Sequence, residues 1–209
     1  MNHRFTGPEV ELFLNGKPPE IFCKRNLFSK KKIFAVDGAF YYLKKMGIQI
    51  DSLSGDLDSL LKKDIPLEID FFETNDQNST DFDKALKIIH HQGFLNVNVW
   101  GASGKEQDHF LGNLSTALKY KRKLSLIFHD DYHSYFFSEK RHVFFQKKNK
   151  KISLFPFPKV EGLLTHGLKY PINKELLKIG KRIGIRNEAI ENPIEISYQK
   201  GELLIFIEK

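Results

Sequence analysis

The chain has 209 residues, enough for one large domain or two small ones with a buried core. Aromatic residues make up 13% of it, a composition that excludes intrinsic disorder. A single cysteine excludes an intramolecular disulfide and any metal site built from several cysteines. Because no apolar run could cross a bilayer and the first residues lack a signal-peptide pattern, we expect a cytoplasmic protein.

The formal net charge of +7 favours anionic partners such as phosphate compounds. Most basic residues are dispersed along the chain, and the two basic runs, 30–32 and 147–151, each precede an apolar segment. Solvated turns before strands explain both runs. We therefore predict no nucleic-acid partner and no membrane partner.

Up to about residue 130, short apolar runs alternate with helical patterns. The runs at 33–36, 97–100 and 124–128 indicate strands that are buried on both faces. Apolar residues at helical spacing predict one helix over 82–89 and another over 110–118. This alternation predicts a doubly wound, mostly parallel α/β domain over residues 1–130, with ligands bound beyond the carboxyl ends of its strands.

From residue 131 to residue 209 the helical pattern almost vanishes, and we predict a small all-β sandwich domain. Two hairpins are predicted, one from strands at 135–137 and 143–145, the other from strands at 194–198 and 203–207. Strands at 152–155 and 160–164 are predicted to be separate, because Pro156 and Pro158 lie between them.

Aspartates concentrate at three predicted strand-to-helix junctions. Asp56 and Asp58 follow the apolar stretch at Leu53, and extended backbone would point both carboxylates to one side. Two such charges repel unless a cation lies between them, and carboxylate oxygens suit Mg²⁺. A turn with two solvated carboxylates is the alternative reading of the same residues.

The second junction, 76–81, opens the predicted helix at 82–89 and contains a capping box formed by Thr80 and Asp83. A capped helix start is also a place where amide groups can hold a phosphate. The third junction, 101–109, fails the P-loop pattern, because its glycines are too close together and Glu106 follows Lys105. Together the three junctions predict a carboxylate-lined pocket that needs a metal ion and a polyphosphate.

Several ordered motifs resemble the thiamine pyrophosphokinase family. In the first half the resemblance rests on Asp37-Gly38, the run 55–59, the run 80–86, the run 101–104 and the run 108–113. In the second half it rests on the runs 153–156, 162–171 and 184–188. The resemblance implies an N-terminal α/β catalytic domain that binds ATP and Mg²⁺, followed by a β-sandwich that binds thiamine and forms a homodimer. The implied enzyme is a thiamine diphosphokinase, which transfers the diphosphate of ATP to the hydroxyl of thiamine and releases AMP.

The resemblance also implies roles for individual residues. Asp56, Asp58 and Asp81 would hold Mg²⁺ against the triphosphate, and Asp108 would complete the catalytic acidic cluster. The implied ATP and substrate contacts are Asp37, Gly38, Thr80, Ser103, Lys105 and Asn113. Gln77, together with Asn187 from the partner subunit, would face the thiamine pyrimidine in an active site at the dimer interface.

The chain departs from the family pattern at three places. Gly104-Lys105-Glu106 stands where the family often has Gly-Gly-Arg, Arg186 replaces a Ser, and Ala39 replaces a second Gly. A diphosphokinase of another small alcohol, such as a hydroxymethylpterin, therefore stays open as an alternative. A catalytically inactive relative that binds nucleic acid or another ligand is the second alternative.

Overall fold

The computed structural model describes residues 2–18, 20, 28, 30–56 and 62–209. The chain divides into two units, Met1–Asp131 and Tyr132–Lys209. Within the described ranges, no helix is both long and apolar enough to span a membrane.

A parallel sheet forms the centre of the first unit. Its strands are β1 (Glu9–Phe13), β2 (Lys32–Val36), β3 (Ser52–Gly55), β4 (Asp70–Glu73), β5 (Asn96–Trp100) and β6 (Ser125–His129). They lie in the order β4-β3-β2-β1-β5-β6, and every neighbouring pair is parallel. The chain moves outward from β1 to β4 and then returns to the other side of β1 at β5. This reversal makes the carboxyl ends of β1 and β5 the expected ligand site.

Helices α1 (Ala39–Lys45), α2 (Asp81–His91) and α3 (Gln107–Tyr120) connect these strands, with a short 3₁₀ helix at Lys62–Asp64. Helix α1 packs Phe40 and Leu43 against Phe13 on one face of the sheet. Phe82 of α2 contacts Phe128, which lies on the opposite face because the register aligns Phe128 with Val99 and Leu12. Helices on both faces confirm the predicted doubly wound α/β fold.

The second unit contains strands β7 (His133–Phe137), β8 (Arg141–Phe144), β9 (Lys151–His166), β10 (Glu175–Lys178), β11 (Gly184–Glu188), β12 (Ile194–Ser197) and β13 (Lys200–Glu208). Strand β9 pairs with β13, β10 and β11 in one sheet, and its last residues pair with β12 in a second sheet that includes β8. Apolar side chains from both sheets form one core, as in a sandwich.

Both predicted hairpins are wrong, although their four strands exist. Strand β7 pairs with β13, and β8 pairs with β12, so each strand finds its partner far along the sequence. Strands that follow each other in sequence lie in different sheets, and both sheets bury their apolar side chains against the common core. Alternation and turn residues identify a strand, but they do not identify its partner.

The predicted break at Pro156 and Pro158 is also wrong, because β9 runs through both prolines as one 16-residue strand. On one side, β11 pairs with residues 151–154 and β10 with residues 159–163, so the prolines fall in the gap between these two partners. On the other side, Pro156 is still in register with Leu203 of β13, and the register shifts directly after it, between Leu203 and Gly201. Pro158 therefore lies where the regular pairing is interrupted, and Pro156 occupies the last paired position before the interruption.

Candidate active site

A cleft of about 600 Å³ opens at the carboxyl ends of β1, β2 and β5, where α2 and α3 begin. Seven of the predicted site residues line it: Asp37, Thr80, Asp81, Ser103, Lys105, Asp108 and Asn113. The cleft therefore lies at the reversal point of the strand order, the position at which open α/β sheets bind ligands.

Two glycines allow the loops after β1 and β5 to run side by side along the cleft. Gly16 N–H donates to the Gly101 carbonyl at 2.8 Å, and Lys17 N–H donates to the Ser103 carbonyl at 2.8 Å. A Cβ on Gly16 would lie 2.2 Å from the Gly101 oxygen, and Gly101 itself has a φ of +66°. Only glycine fits this approach, so these two positions fix the backbone of the cleft.

Asp37 follows β2 directly and enters the cleft from a left-handed backbone conformation, with a φ of +49°. Aspartate tolerates this region better than most residues. Asp37 N–H donates to the Ser54 carbonyl at 2.8 Å, which ties this turn to the end of β3. Next to it, Gly38 leaves room for Asn15, whose Nδ2 would lie 2.4 Å from a Cβ at that position.

Thr80 and Asp81 reach the cleft from the start of α2. Thr80 is the N-cap, and its hydroxyl accepts a hydrogen bond from Asp83 N–H at 3.2 Å, which is one half of the predicted capping box. The other half is not formed, since Asp83 Oδ2 accepts from Lys119 Nζ at 2.7 Å and Asp83 Oδ1 has no hydrogen-bond partner among the described residues. Lys84, in the same turn, donates to Asp81 Oδ1 at 3.0 Å. The amide groups at the start of α2 and the Asp81 carboxylate thus present donors and a negative charge side by side.

The loop after β5 and the start of α3 supply the remaining lining residues. Asn113 Nδ2 donates to the Ala102 carbonyl at 2.9 Å, which holds this loop against α3. Lys105 Nζ donates to Asn15 Oδ1 at 3.1 Å, so a cation stands at the cleft although the family arginine is absent. Asp108 is exposed, and its Oδ1 accepts a hydrogen bond from His109 N–H at 2.9 Å.

Of the five remaining predicted residues, Gly38 adjoins Asp37, and the other four are Asp56, Asp58, Gln77 and Asn187. Asp56 is half-buried directly after β3, and Asp58 lies outside the described residues. Gln77 is exposed in the turn before α2, a turn in which the Asn78 N–H and the Ser79 hydroxyl hold the pKa of Asp76 below its ordinary value.

Asn187 belongs to the second unit and is buried there. Its Oδ1 accepts from Tyr170 N–H at 3.0 Å, and its Nδ2 donates to the Tyr170 carbonyl at 2.7 Å. These two bonds give Asn187 a structural task within its own chain. Its role toward thiamine stays a prediction.

Asn15 is a lining residue that the sequence reasoning missed. It follows β1, and the sequence reasoning did not identify β1 as a strand. The alternation of Glu9, Val10, Glu11 and Leu12 is a signal that could have predicted this strand, although a glutamate as buried as Glu11 is rare.

The donor set of the cleft suits Mg²⁺ bound together with a polyphosphate. In the described part of the chain, no three His, Cys, Asp or Glu side chains come close enough to hold a metal ion by themselves. Mg²⁺ characteristically takes one or two carboxylates and completes its shell with water and substrate phosphates. Asp37, Asp81 and Asp108 offer such carboxylates around one cleft.

Comparisons with known proteins agree with this geometry. The family model "Thiamin pyrophosphokinase, catalytic domain" matches residues 23–128, and "Thiamin pyrophosphokinase, vitamin B1 binding domain" matches residues 140–203. A thiamine pyrophosphokinase of Bacillus subtilis is 30% identical over 135 residues. That alignment covers 62% of this chain and 63% of the relative, which is less than two thirds of its length.

Solved structures share the fold. The crystal structure of thiamine pyrophosphokinase from Bacillus subtilis has a TM-score of 0.81 at 22% identity, covering 96% of this chain and 99% of that one. Thiamin pyrophosphokinase from Candida albicans has a TM-score of 0.79 at 14% identity, covering 97% and 89%. With both family domains matched in order along most of its length, the chain belongs to the thiamin pyrophosphokinase family.

Proposed function

We propose that this protein is a thiamine diphosphokinase, which transfers the β,γ-diphosphate of ATP to the hydroxyl of thiamine. The products are thiamine diphosphate and AMP. The observation that carries the proposal is the cleft at the strand reversal. In this chain, which belongs to the family, that cleft is lined by Asp37, Thr80, Asp81 and Asp108. Transfer of this kind needs alignment and charge neutralisation more than a protein nucleophile, and the cleft offers groups for both.

The thiamine oxygen attacks the β-phosphorus, the bond between that phosphorus and the oxygen on the α-phosphorus breaks, and AMP leaves with the electron pair. We assign the proton of the thiamine hydroxyl to Asp81, whose carboxylate lines the cleft and is 43% exposed. Lys105 and the amide groups at the start of α2 bind phosphate oxygens. Asp56, Asp58 and Asp81 would hold Mg²⁺, with Asp108 completing the acidic cluster, and the ion would supply charge neutralisation to the triphosphate.

The second unit binds thiamine and forms the homodimer in this proposal, with Gln77 and the partner's Asn187 facing the pyrimidine. The match to the vitamin B1 binding domain supports this role. Exposed apolar side chains on β10 and β11, Leu176 and Ile185, offer a surface that a second copy would cover. A cytoplasmic location belongs to the same proposal, and the single cysteine supports it.

The test is AMP production from ATP, Mg²⁺ and thiamine, with the second product identified by mass. We expect thiamine diphosphate and AMP in equal amounts. Hydroxymethylpterin, supplied in place of thiamine, tests the alternative acceptor. Folded protein that releases AMP only with the pterin, or with neither alcohol, would overturn the proposal. Light scattering on the same sample measures whether it is a dimer.

A further inference from the structure

Lys84 is a buried lysine whose ammonium group lies against a predicted catalytic carboxylate. Its side chain is only 9% exposed and lies in α2 among the buried residues Phe82, Ala85 and Leu86. Nζ donates to Asp81 Oδ1 at 3.0 Å and to the Thr74 carbonyl at 3.1 Å. Lysine is seldom buried to this extent, because removing an ammonium group from water is costly unless it is paired.

The two bonds hold the ammonium group in one place. Thr74 directly follows β4, so its carbonyl is fixed by the sheet, while Asp81 is fixed by the first turn of α2. Asp81 is 43% exposed and lines the cleft. Asp81 Oδ1 therefore bonds to the Lys84 ammonium group, while the carboxylate remains partly exposed in the cleft.

A divalent cation that binds Asp81 must share this carboxylate with Lys84. Two cations beside one carboxylate repel each other, and the repulsion is stronger where protein displaces water. The triphosphate of a nucleotide brings several negative charges, whose attraction for the metal ion offsets that repulsion.

We propose that Lys84 is a resident counter-cation of Asp81, which keeps the affinity of the nucleotide-free cleft for divalent cations low. The metal ion then enters together with the polyphosphate. This inference rests on the proposed function, because it takes Asp81 as a metal-holding residue. Lys84 is a positioning residue in this scheme, since it acts through Asp81 and touches neither substrate.

The experiment is a titration of the nucleotide-free protein with Mn²⁺, followed by electron paramagnetic resonance of the free ion. We expect Lys84→Met to raise the Mn²⁺ affinity about tenfold, a coupling of ordinary size between neighbouring sites. Lys87→Met is the matched control, because Lys87 lies in the same helix but is exposed, and it should leave the affinity unchanged. A variant that merely loosened the cleft would lower the affinity, so the direction of the change separates the two roles.

Asp81→Asn closes a double-mutant cycle with Lys84→Met. In the Asp81→Asn background, removing the ammonium group should leave the Mn²⁺ affinity unchanged, because the shared carboxylate is gone. Unchanged or weaker Mn²⁺ binding by folded Lys84→Met overturns the inference, and Lys84→Gln is measured in its place if that variant does not fold. The AMP assay on the wild-type protein is independent, so turnover without the Mn²⁺ effect rejects Lys84 alone, and the Mn²⁺ effect without turnover rejects the proposed reaction.

Discussion

Glu11 is a carboxylate buried in the middle of the parallel sheet. Trp100 Nε1 donates to its Oε2 at 2.6 Å, and Asn98 Nδ2 donates to its Oε1 at 3.0 Å. Burial raises the pKa of Glu11 above its ordinary value of 4.5, and these two hydrogen bonds offset only part of the effect. The folded protein therefore holds this proton more tightly than the unfolded chain does.

The raised pKa makes stability depend on pH in a definite direction. The contribution of protonated Glu11 is fully present below pH 4.5 and is lost as the pH rises through the raised pKa of the folded protein. Glu11→Gln cannot ionise at this position, so the variant should not lose stability as the pH rises. We therefore expect the free energy of unfolding of the variant minus that of the wild type to increase from pH 4.5 upward. Urea unfolding at several pH values measures it. A constant difference across this range would contradict the assignment.

Asp108 allows the acidic cleft to be tested without damaging the fold. Asp108→Asn keeps the acceptor for His109 N–H but removes a negative charge from an exposed position, so stability should change little. We expect kcat to fall by about 100-fold or more, because charge placement dominates this chemistry.

Asp70→Asn is the matched control for Asp108→Asn. Asp70 is also exposed, but it begins β4 and so lies at the amino end of the strands, away from the cleft. Its variant should keep wild-type turnover. If the Asp108→Asn and Asp70→Asn variants were equally active, Asp108 would have no role in the reaction.

The site residues that could be predicted from the sequence are those marked by a local sequence pattern. Aspartates at strand ends and the Thr80 cap are local signals, and the cleft gathers Asp37, Thr80, Asp81 and Asp108. The bond between Lys84 and Asp81 was not predicted, although the spacing of three residues permits it. The sequence does not show that this side of α2 is buried enough to fix the ammonium group.

At the scale of elements, two glycines that line the cleft should respond oppositely to the same substitution. Gly16→Ala places a Cβ 2.2 Å from the Gly101 oxygen, so the loops must separate. We expect a loss of about 3 kcal/mol or more in the free energy of unfolding. Gly112 lies within α3, and a Cβ there would meet no described atom within 4 Å, so Gly112→Ala should gain about 1 kcal/mol from helix propensity.

Thermal and urea unfolding of the two variants measure both effects. If Gly16→Ala matched the wild-type stability, the close approach of the loops after β1 and β5 would be wrong. A destabilised Gly112→Ala would show that the face of α3 at this position is not open.

The elements that sequence reasoning identified are those with strong periodicity. Helices α2 and α3 and strands β2, β5 and β6 were predicted near their observed bounds. Strand β1 was missed because half-buried Glu9 and buried Glu11 are compensated by Asn98 and Lys31, contacts that exist only in the folded sheet. The two predicted hairpins were wrong for a related reason, because the partner of each strand depends on the packing of the whole core.

At the scale of the whole molecule, the fold class followed from the change in periodicity near residue 130. Alternating strands and helices predict helices on both faces of a parallel sheet, and the first unit has them. The strand order could not be predicted, because β1 lies between β2 and β5 only after the chain has reversed direction. The cleft lies where the strand order reverses, so its position depends on the strand order of the complete unit.

The chain carries a net charge of +7, whereas carboxylates line the cleft, and the electric fields of the two act over different distances. The net charge attracts an approaching nucleotide from afar, while the acidic cleft acts within the site. Salt screens the distant field first, because the Debye length is about 10 Å at 0.1 M salt. We therefore expect kcat/KM for ATP to fall as NaCl is raised, with kcat nearly unchanged.

A double charge reversal in the second unit separates steering from general salt effects. Lys147 and Lys148 are exposed and lie outside the unit that contains the cleft, so Lys147→Glu with Lys148→Glu lowers the net charge by four without altering a lining residue. Steady-state kinetics at several NaCl concentrations should show a lower kcat/KM for ATP at low salt and a flatter salt dependence than in the wild-type protein. Identical slopes would mean that the net charge plays no part in binding ATP, and that the local donors of the cleft capture the nucleotide by themselves.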